Sequence, residues 1–336
     1  MTPSTIGVAV VGLGVGEQHA IAYARDERCT LRFLYDLDGQ RMADVAGKLG
    51  QGVPAESYAA ILADSSVDAV SIATYDDCHF EEVVSALEAG KDVFVEKPLC
   101  RSMEELRTIK RAWQRGRGLK LASNLVLRVA PLYVWLRAAI RSGLFGRIYA
   151  FDGEYLYGRM SKITDGWRKN VEGYSVMQGG GVHMVDLMLR LSSEKPERVS
   201  AAGNRISSAG TRFRYHDFVA ATYMFEHGLI GRITANFGCV HRHQHVVRVY
   251  GTKATFLYDD QGPRLHTVRD PEFRPVPVDL SPYPATKGDL IPVFVESIVN
   301  GVHTAGNEQH EFDVMSATLA ADTALSKSET VEIEYV

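Results

Sequence analysis

The sequence predicts an α/β chain with two parts: a doubly wound parallel sheet over residues 1–123, then an α+β domain over 124–336 built on a mostly antiparallel sheet. Three observations carry this. In the first 120 or so residues, short apolar runs alternate with helical patterns, as parallel strands joined by crossover helices do. From about Arg147 the texture changes to longer runs of alternating apolar and polar residues, separated by turns such as His227-Gly228. The 336 residues also exceed one typical domain.

The strands expected in the first part are 6–11, 30–35, 68–73, 92–95 and 119–122, each β-branched or aliphatic and bounded by turn residues. Phe80, Val83, Val84 and Leu87 fall on one helical face, and Ala89-Gly90 stops that helix just before the strand at 92–95. Pro131 opens a helix with Leu132, Trp135, Leu136, Ala139 and Ile140 on one face, and Gly143 ends it. Beyond it, strands are expected at 148–157, 218–225, 229–237, 246–251 and 254–258, and late helices at 289–299 and 312–325. A closing strand at 331–335 ties the C-terminus back, with the C-terminal segment free to pack on the first domain. The proline-bearing segment 270–284 reads as a surface excursion.

Composition is that of a globular protein, 46% hydrophobic and 23% charged, with a formal charge of −4. Neither nucleic acid nor an anionic membrane is attracted by such a balance. Cys29, Cys78, Cys100 and Cys239 are scattered and form no C-x-x-C pair, so no zinc ribbon or redox dithiol is expected. No run approaches the roughly 20 apolar residues of a membrane span, and the N-terminus lacks a signal peptide's basic region. A cytoplasmic protein is expected.

Gly12-Leu13-Gly14-Val15-Gly16 follows the first strand and opens a helix. Gly12 allows a tight turn and Gly14 a close backbone approach to a pyrophosphate on the helix N-terminus. The third glycine of G-x-G-x-x-G would be residue 17, here Glu17, and Gly16 takes part of its packing role. Asp36 ends the second strand, 24 residues after Gly12. A carboxylate there accepts the ribose hydroxyls and repels a 2′-phosphate, which favours NAD over NADP. Lys97, in Glu96-Lys97-Pro98, ends the strand at 92–95, and Pro98 biases it to an extended conformation. An ammonium there can polarise a carbonyl or deliver a proton as hydride arrives at carbon.

These motifs resemble the Gfo/Idh/MocA family of glucose–fructose oxidoreductase and inositol dehydrogenase relatives. The resemblance runs through Gly12-Leu13-Gly14, Ala73-Thr74 with His79, Ala86-Leu87-Glu88-Ala89-Gly90-Lys91 and Glu96-Lys97-Pro98. It continues through Asn124, Arg128 and Pro131, Gly166-Trp167-Arg168, the segment from Gly179 through His183 and Asp186 to Leu187, and Gly251-Thr252-Lys253. It implies a Rossmann domain paired with an open-faced sheet domain, and homodimers or homotetramers formed through that sheet. It also implies that Lys97 contacts substrate and cofactor, often beside a cis proline bond, and that His183 faces the reacting hydroxyl or ketone. Thr74, His79 and Glu96 would line the cofactor. Tyr75, His79 and Asn124 would edge the nicotinamide, with helix capping an equal role for His79. Trp167 and Arg168 would line the substrate, Arg168 able to hold a carboxylate or phosphate.

One departure stands out. Many relatives carry an Asp four residues before the histidine, where this chain has Gly179. Tyr174 and Asp186 are the candidates to replace it, Asp186 at i+3 from His183. His183 is expected in a first helical turn, where the dipole disfavours imidazolium. The glycine run 179–181 is expected to leave room for a bulky substrate such as a nucleotide-linked sugar. His241, His243 and His245 share one strand face, but strand neighbours at i and i+2 do not readily converge on one ion. No metal is expected; the face fits a substrate cleft or an interface. The function expected is an NAD-dependent oxidoreductase moving hydride to or from a hydroxyl or keto carbon of a sugar, cyclitol or sugar nucleotide. Lys97 and His183 are its acid–base pair. The alternative is a non-catalytic NAD sensor of the same fold.

Overall fold

The computed structural model describes residues 5–301 and 306–336. The chain divides into two compact units: Met1–Val129 with Pro284–Phe312 and Val336, and Ala130–Tyr283 with Asp313–Tyr335.

In the first unit, strands β1 (Ile6–Val11), β2 (Cys29–Tyr35), β3 (Val53–Pro54), β4 (Ala69–Ile72), β5 (Asp92–Val95) and β6 (Leu121–Ser123) alternate with helices. These are α1 (Gly16–Arg25), α2 (Gly39–Leu49), α3 (Tyr58–Ala63), α4 (His79–Glu88) and α5 (Met103–Arg115). The sheet order is β3-β2-β1-β4-β5-β6 and every pairing is parallel. All six residues of β1 and all four of β4 are buried, as strands covered by helices on both faces must be. The strand order reverses between β1 and β4, and the crevice outside their carboxyl ends is where such sheets receive ligands.

The second unit opens with α6 (Pro131–Arg141), β7 (Ile148–Leu156) and the short α7 (Ser161–Thr164). A five-residue π turn, Met177–Gly181, then runs directly into α8 (Val182–Ser192). Strands β8 (Pro196–Asn204), β9 (Phe218–Phe225), β10 (Ile230–Asn236), β11 (Gln244–Gly251), β12 (Thr255–Asp259), β13 (Gly262–His266) and β14 (Val276–Pro277) follow. The nine-stranded sheet reads β14-β13-β12-β11-β7-β10-β9-β8-β15, where β15 is Val331–Glu332. Only the β7–β10 pairing is parallel. Burial alternates along β9 and β10, so one face of the sheet carries the core. Gly153 of β7 lets α8 approach; a Cβ there would lie 3.0 Å from that of Met184.

Three features were not visible in the apolar pattern. β3 is two exposed residues, one a proline. β8 is rich in polar and small residues and buries only Pro196 and Val199. Within the expected excursion 270–284, Val276 pairs with Leu265 to add β14 to the sheet.

Two helices come late in the chain. α9 (Ile291–Asn300) belongs to the first unit: Ile291, Phe294 and Val295 enter its core, and the Phe294 ring sits 5.4 Å from Phe94 of β5. α10 (Glu308–Lys327) begins in the first unit and ends in the second. Near its start, Glu311 pairs with Arg128, with both side chains 2% exposed. Removing one member of such a pair strands the other charge away from water. Arg128→Ala is therefore expected to destabilise the chain by about 3–5 kcal/mol, read as a lowered urea midpoint with an unchanged m-value.

Candidate active site

The site begins at the carboxyl ends of β1, β2 and β4. Gly12 has φ of +79°, and a Cβ there would fall 2.5 Å from the Ala73 carbonyl oxygen, so glycine is required on both counts. A Cβ on Gly14 would meet nothing within 4 Å, whereas one on Gly16 would press on Ala73 and Val10 at 3.1 and 3.2 Å. Gly16 thus performs the helix-to-strand packing, and Glu17 turns outward to pair with Lys48. The first turn of α1 has no side-chain cap, leaving its backbone N–H groups facing the crevice.

Asp36 accepts the Leu13 N–H at 2.7 Å and the Asp38 N–H at 2.9 Å, with Arg41 3.3 Å away. Burial pushes its carboxyl up, but these donors outweigh it and hold the group below the usual carboxylate range. Val15, Leu37 and Tyr75 are large apolar or aromatic side chains left exposed along this edge.

Lys97 follows the end of β5 and is half-buried; its bond to Pro98 is cis. The residues around it are tightly tied. His79 is buried, with Nδ1 2.7 Å from the Pro98 carbonyl oxygen and Nε2 3.3 Å from that of Thr74. The Thr74 hydroxyl donates to Glu82 at 2.5 Å. Glu96 turns inward: its Oε1 accepts Asn124 Nδ2 at 2.7 Å and lies 3.4 Å from Nε2 of His19. The same Asn124 amide donates to the Lys287 carbonyl at 2.9 Å, while its Oδ1 is buried with no hydrogen-bond partner among the described residues. His19 is the residue that sequence reasoning missed. Its position in α1, on the buried face with Ala20 and Tyr23, reads as ordinary packing.

In the second unit His183 is 6% exposed and sits in a cluster of rings. Tyr155 stacks on it at 6.0 Å and His245 lies edge-on at 5.9 Å; His243, Tyr157, Phe237 and Tyr283 extend the cluster. Two expectations are corrected here. The helical run starts at Met177, so His183 lies beyond the first turn, where the end effect of the dipole has faded. The glycines do not leave a void either: a Cβ on Gly179 would overlap the Tyr174 hydroxyl, and one on Gly180 the Tyr155 ring. The Tyr174 oxygen therefore fills the space where a side chain at 179 would begin, one turn before His183. Asp186 is fully buried within α8, and Arg168 lies over the Trp167 ring at 4.4 Å in the 3-10 turn Trp167–Asn170. His241 faces Asp260 at 3.1 Å. No group of three metal-ligating side chains occurs among the described residues, and no helix there is long and apolar enough to cross a membrane.

The turn that carries Tyr174 is pinned from α10. Asp322 accepts the Ser175 hydroxyl at 2.7 Å and the Gln178 amide at 2.8 Å, and Ser175 Oγ accepts the Met177 and Gln178 N–H groups. Burial pushes the Asp322 carboxyl up to about 6 against these two donors. With the folded value raised, folding favours the protonated acid: its contribution is complete below about pH 4 and is lost as pH rises through about 6. Asp322→Asn removes the titrating carboxyl but leaves one of the two donors without its acceptor, so a lower stability that no longer falls as pH rises through about 6 is expected. Urea midpoints measured from pH 5 to 8 should then change less with pH than those of the native chain.

A glycine turn opening on an uncapped helix, a carboxylate at the end of the second strand and a lysine at the end of β5 define a dinucleotide-binding oxidoreductase. The residues fit NAD: Gly14 leaves its surroundings open, Asp36 presents an anionic acceptor, and Asn124 keeps a buried acceptor unspent. Residues 6–121 match the profile described as "Oxidoreductase family, NAD-binding Rossmann fold", and residues 133–257 match the GFO/IDH/MocA C-terminal domain. The chain belongs to the Gfo/Idh/MocA family, and its cofactor is NAD.

Among curated proteins it is 23% identical to levoglucosan dehydrogenase of Pseudarthrobacter phenanthrenivorans, over 76% of this chain and 70% of that protein. Among solved structures, levoglucosan dehydrogenase in complex with NADH superposes with a TM-score of 0.84 at 21% identity, covering 99% of this chain and 100% of that one. Scyllo-inositol dehydrogenase from Lactobacillus casei, with NAD(H) and scyllo-inositol bound, gives 0.80 at 19% identity, covering 98% and 99%.

Proposed function

We propose that this oxidoreductase acts on a secondary hydroxyl, or the corresponding ketone, of a monosaccharide-sized sugar or cyclitol, with Lys97 and His183 as its acid–base residues. The observation that carries the reading is the setting of Lys97. Its strand end is held by Glu96 on one side and by the His79–Pro98 contact on the other, so the amine is presented from a rigid support. The ring cluster around His183 supports the substrate class, since the C–H faces of a sugar pack on aromatic faces while its hydroxyls seek polar partners. The relatives named for levoglucosan and inositol act on molecules of this size. With the glycine run filled by Tyr155 and Tyr174, a compact substrate suits the second unit better than a nucleotide-linked one.

NAD, when bound, supplies the hydride acceptor or donor. Lys97 or His183 takes the hydroxyl proton in the oxidising direction, and the same group returns it in the reducing one. Tyr174 presents its phenolic oxygen over Gly179, on the approach to His183, and orients the imidazole or the substrate hydroxyl. For assembly we propose the outward face of the nine-stranded sheet, where Arg232 pairs with Asp152 at 2.5 Å and Arg248 with Glu154 at 2.6 Å.

The test is an absorbance assay with NAD against levoglucosan, myo- and scyllo-inositol, and simple aldoses and glycosides. Lys97→Ala is expected to lower kcat by about 10²–10⁴-fold while NADH affinity, followed by fluorescence, changes less than about threefold. Turnover undiminished in Lys97→Ala, or confined to nucleotide-linked sugars, would overturn the proposal. Tyr174→Phe keeps the ring on Phe213 and Phe237 and is expected to cost about tenfold in kcat with little change in KM, the pattern of an interaction made mainly in the transition state.

A further inference from the structure

The acid–base assignment gives the π turn before α8 no part in the chemistry, yet the polar groups at its start are bound in a closed set. The Ser175 hydroxyl uses all its sites: it donates to Asp322 Oδ1 at 2.7 Å and accepts the Met177 and Gln178 N–H groups at 3.1 and 3.2 Å. Asp322 Oδ2 accepts the Gln178 side-chain amide at 2.8 Å. One carboxylate from α10 thus grips positions 175 and 178 together, and the grip counts residues. A slip by one position would offer Tyr174 with Met177, or Val176 with Gly179. Neither pair carries a side-chain amide, and the one hydroxyl sits at the far end of a ring.

What the count decides is the path from Tyr174 to His183. The Val182 N–H reaches back five residues to the Met177 carbonyl, so the turn holds one residue more than an α turn. α8 is fixed beyond it: Met184 lies against Gly153 of β7, where a Cβ would come within 3.0 Å, and Tyr155 stacks on the His183 ring at 6.0 Å. Closing the turn to an α turn would therefore swing the chain before it by about 100° around the α8 axis. Tyr174 would leave Gly179, where its hydroxyl occupies the place of a Cβ, and lose its contacts with Phe213 and Phe237 at 5.9 and 6.4 Å.

We infer that Ser175 and Asp322 are positioning residues for Tyr174: by gripping the start of the π turn they hold the phenol over Gly179, one turn before His183. Neither touches substrate, cofactor or the reacting atoms in this role. The inference rests on His183 being an acid–base residue and on Tyr174 working beside it.

The test uses the full chain. Ser175→Ala and Asp322→Ala open the grip, and Ser175→Thr keeps the hydroxyl. The first readout needs no substrate: nitration of Tyr174 by tetranitromethane at pH 8, quantified by peptide mass spectrometry, with the fully buried Tyr223 of the same unit as the internal control. Ser175→Ala and Asp322→Ala are expected to nitrate Tyr174 about five- to tenfold faster while Tyr223 stays within about twofold, the mark of a local opening. Ser175→Thr should stay near the native rate. Gly179→Ala, whose Cβ would overlap the Tyr174 hydroxyl, should speed nitration with the grip intact. On any sugar turned over, Ser175→Ala and Asp322→Ala should lower kcat about tenfold, with KM and NADH affinity within about threefold. In a Tyr174→Phe background the same changes should add little.

A native Tyr174 nitration rate in both Ser175→Ala and Asp322→Ala would overturn the inference. So would a rise that Tyr223 matches, which marks general loosening, or kcat losses that multiply fully with that of Tyr174→Phe. If Asp322→Ala does not fold, Ser175→Ala and Ser175→Thr decide alone: the first must speed nitration and the second must not. A native chain that turns over none of the sugars sinks the substrate reading, while the nitration comparison still decides what holds Tyr174.

Discussion

At the carboxyl end of β1 the backbone of Gly12 passes so close to Ala73 and Thr74 that no side chain fits between them. That crossing sets the geometry of the first unit. It places the Leu13 N–H against Asp36 and aims the uncapped start of α1 into the crevice between β1 and β4. Gly16 lets α1 settle onto Val10 and Ala73 a turn later, so the helix axis is fixed at both points. Anion binding and ribose recognition are then consequences of backbone placement, with few side chains committed to them.

The same unit holds several charged groups largely shielded from water that have polar partners. Lys91 donates to the carbonyls of Asp64 and Val67 at 2.9 and 2.7 Å, Arg128 meets Glu311, and Glu96 meets His19 and Asn124. Such pairs add little net stability over an apolar packing of equal volume, yet they punish any displacement of one partner. They act as registers. Arg128 fixes where α10 begins, and Glu96 fixes the end of the strand that carries Lys97.

In the second unit, register comes from missing side chains. Gly179, Gly180 and Gly181 let the helix containing His183 lie directly against Tyr174, Tyr155 and Met177. The price is a π turn whose backbone would be costly without support. Support arrives from α10, where Asp322 and Ser175 together satisfy the donors at its start.

Much of this was legible in the residues. The glycine turn, the carboxylate at 36, the Glu-Lys-Pro motif and the alternation of β7, β9 and β10 are local patterns, set by φ, by chain reach and by the period of each element. The two-sheet architecture and the cofactor follow from them. The rest depends on contacts between segments distant in sequence. Nothing local marks 284–301 as part of the first unit, because its helix is apolar enough to be buried anywhere; Phe94 and Arg28 decide where. Nothing local separates His19 from a packing residue, because its partners Ser71, Glu96 and Asn124 lie 52, 77 and 105 residues away. The glycine run could be read as room for a substrate until tertiary structure showed which rings fill it. Sequence alone determined what can be built from neighbours along the chain, while the site's polar contacts and the space at Gly179 were decided only when burial forced distant polar groups to find one another.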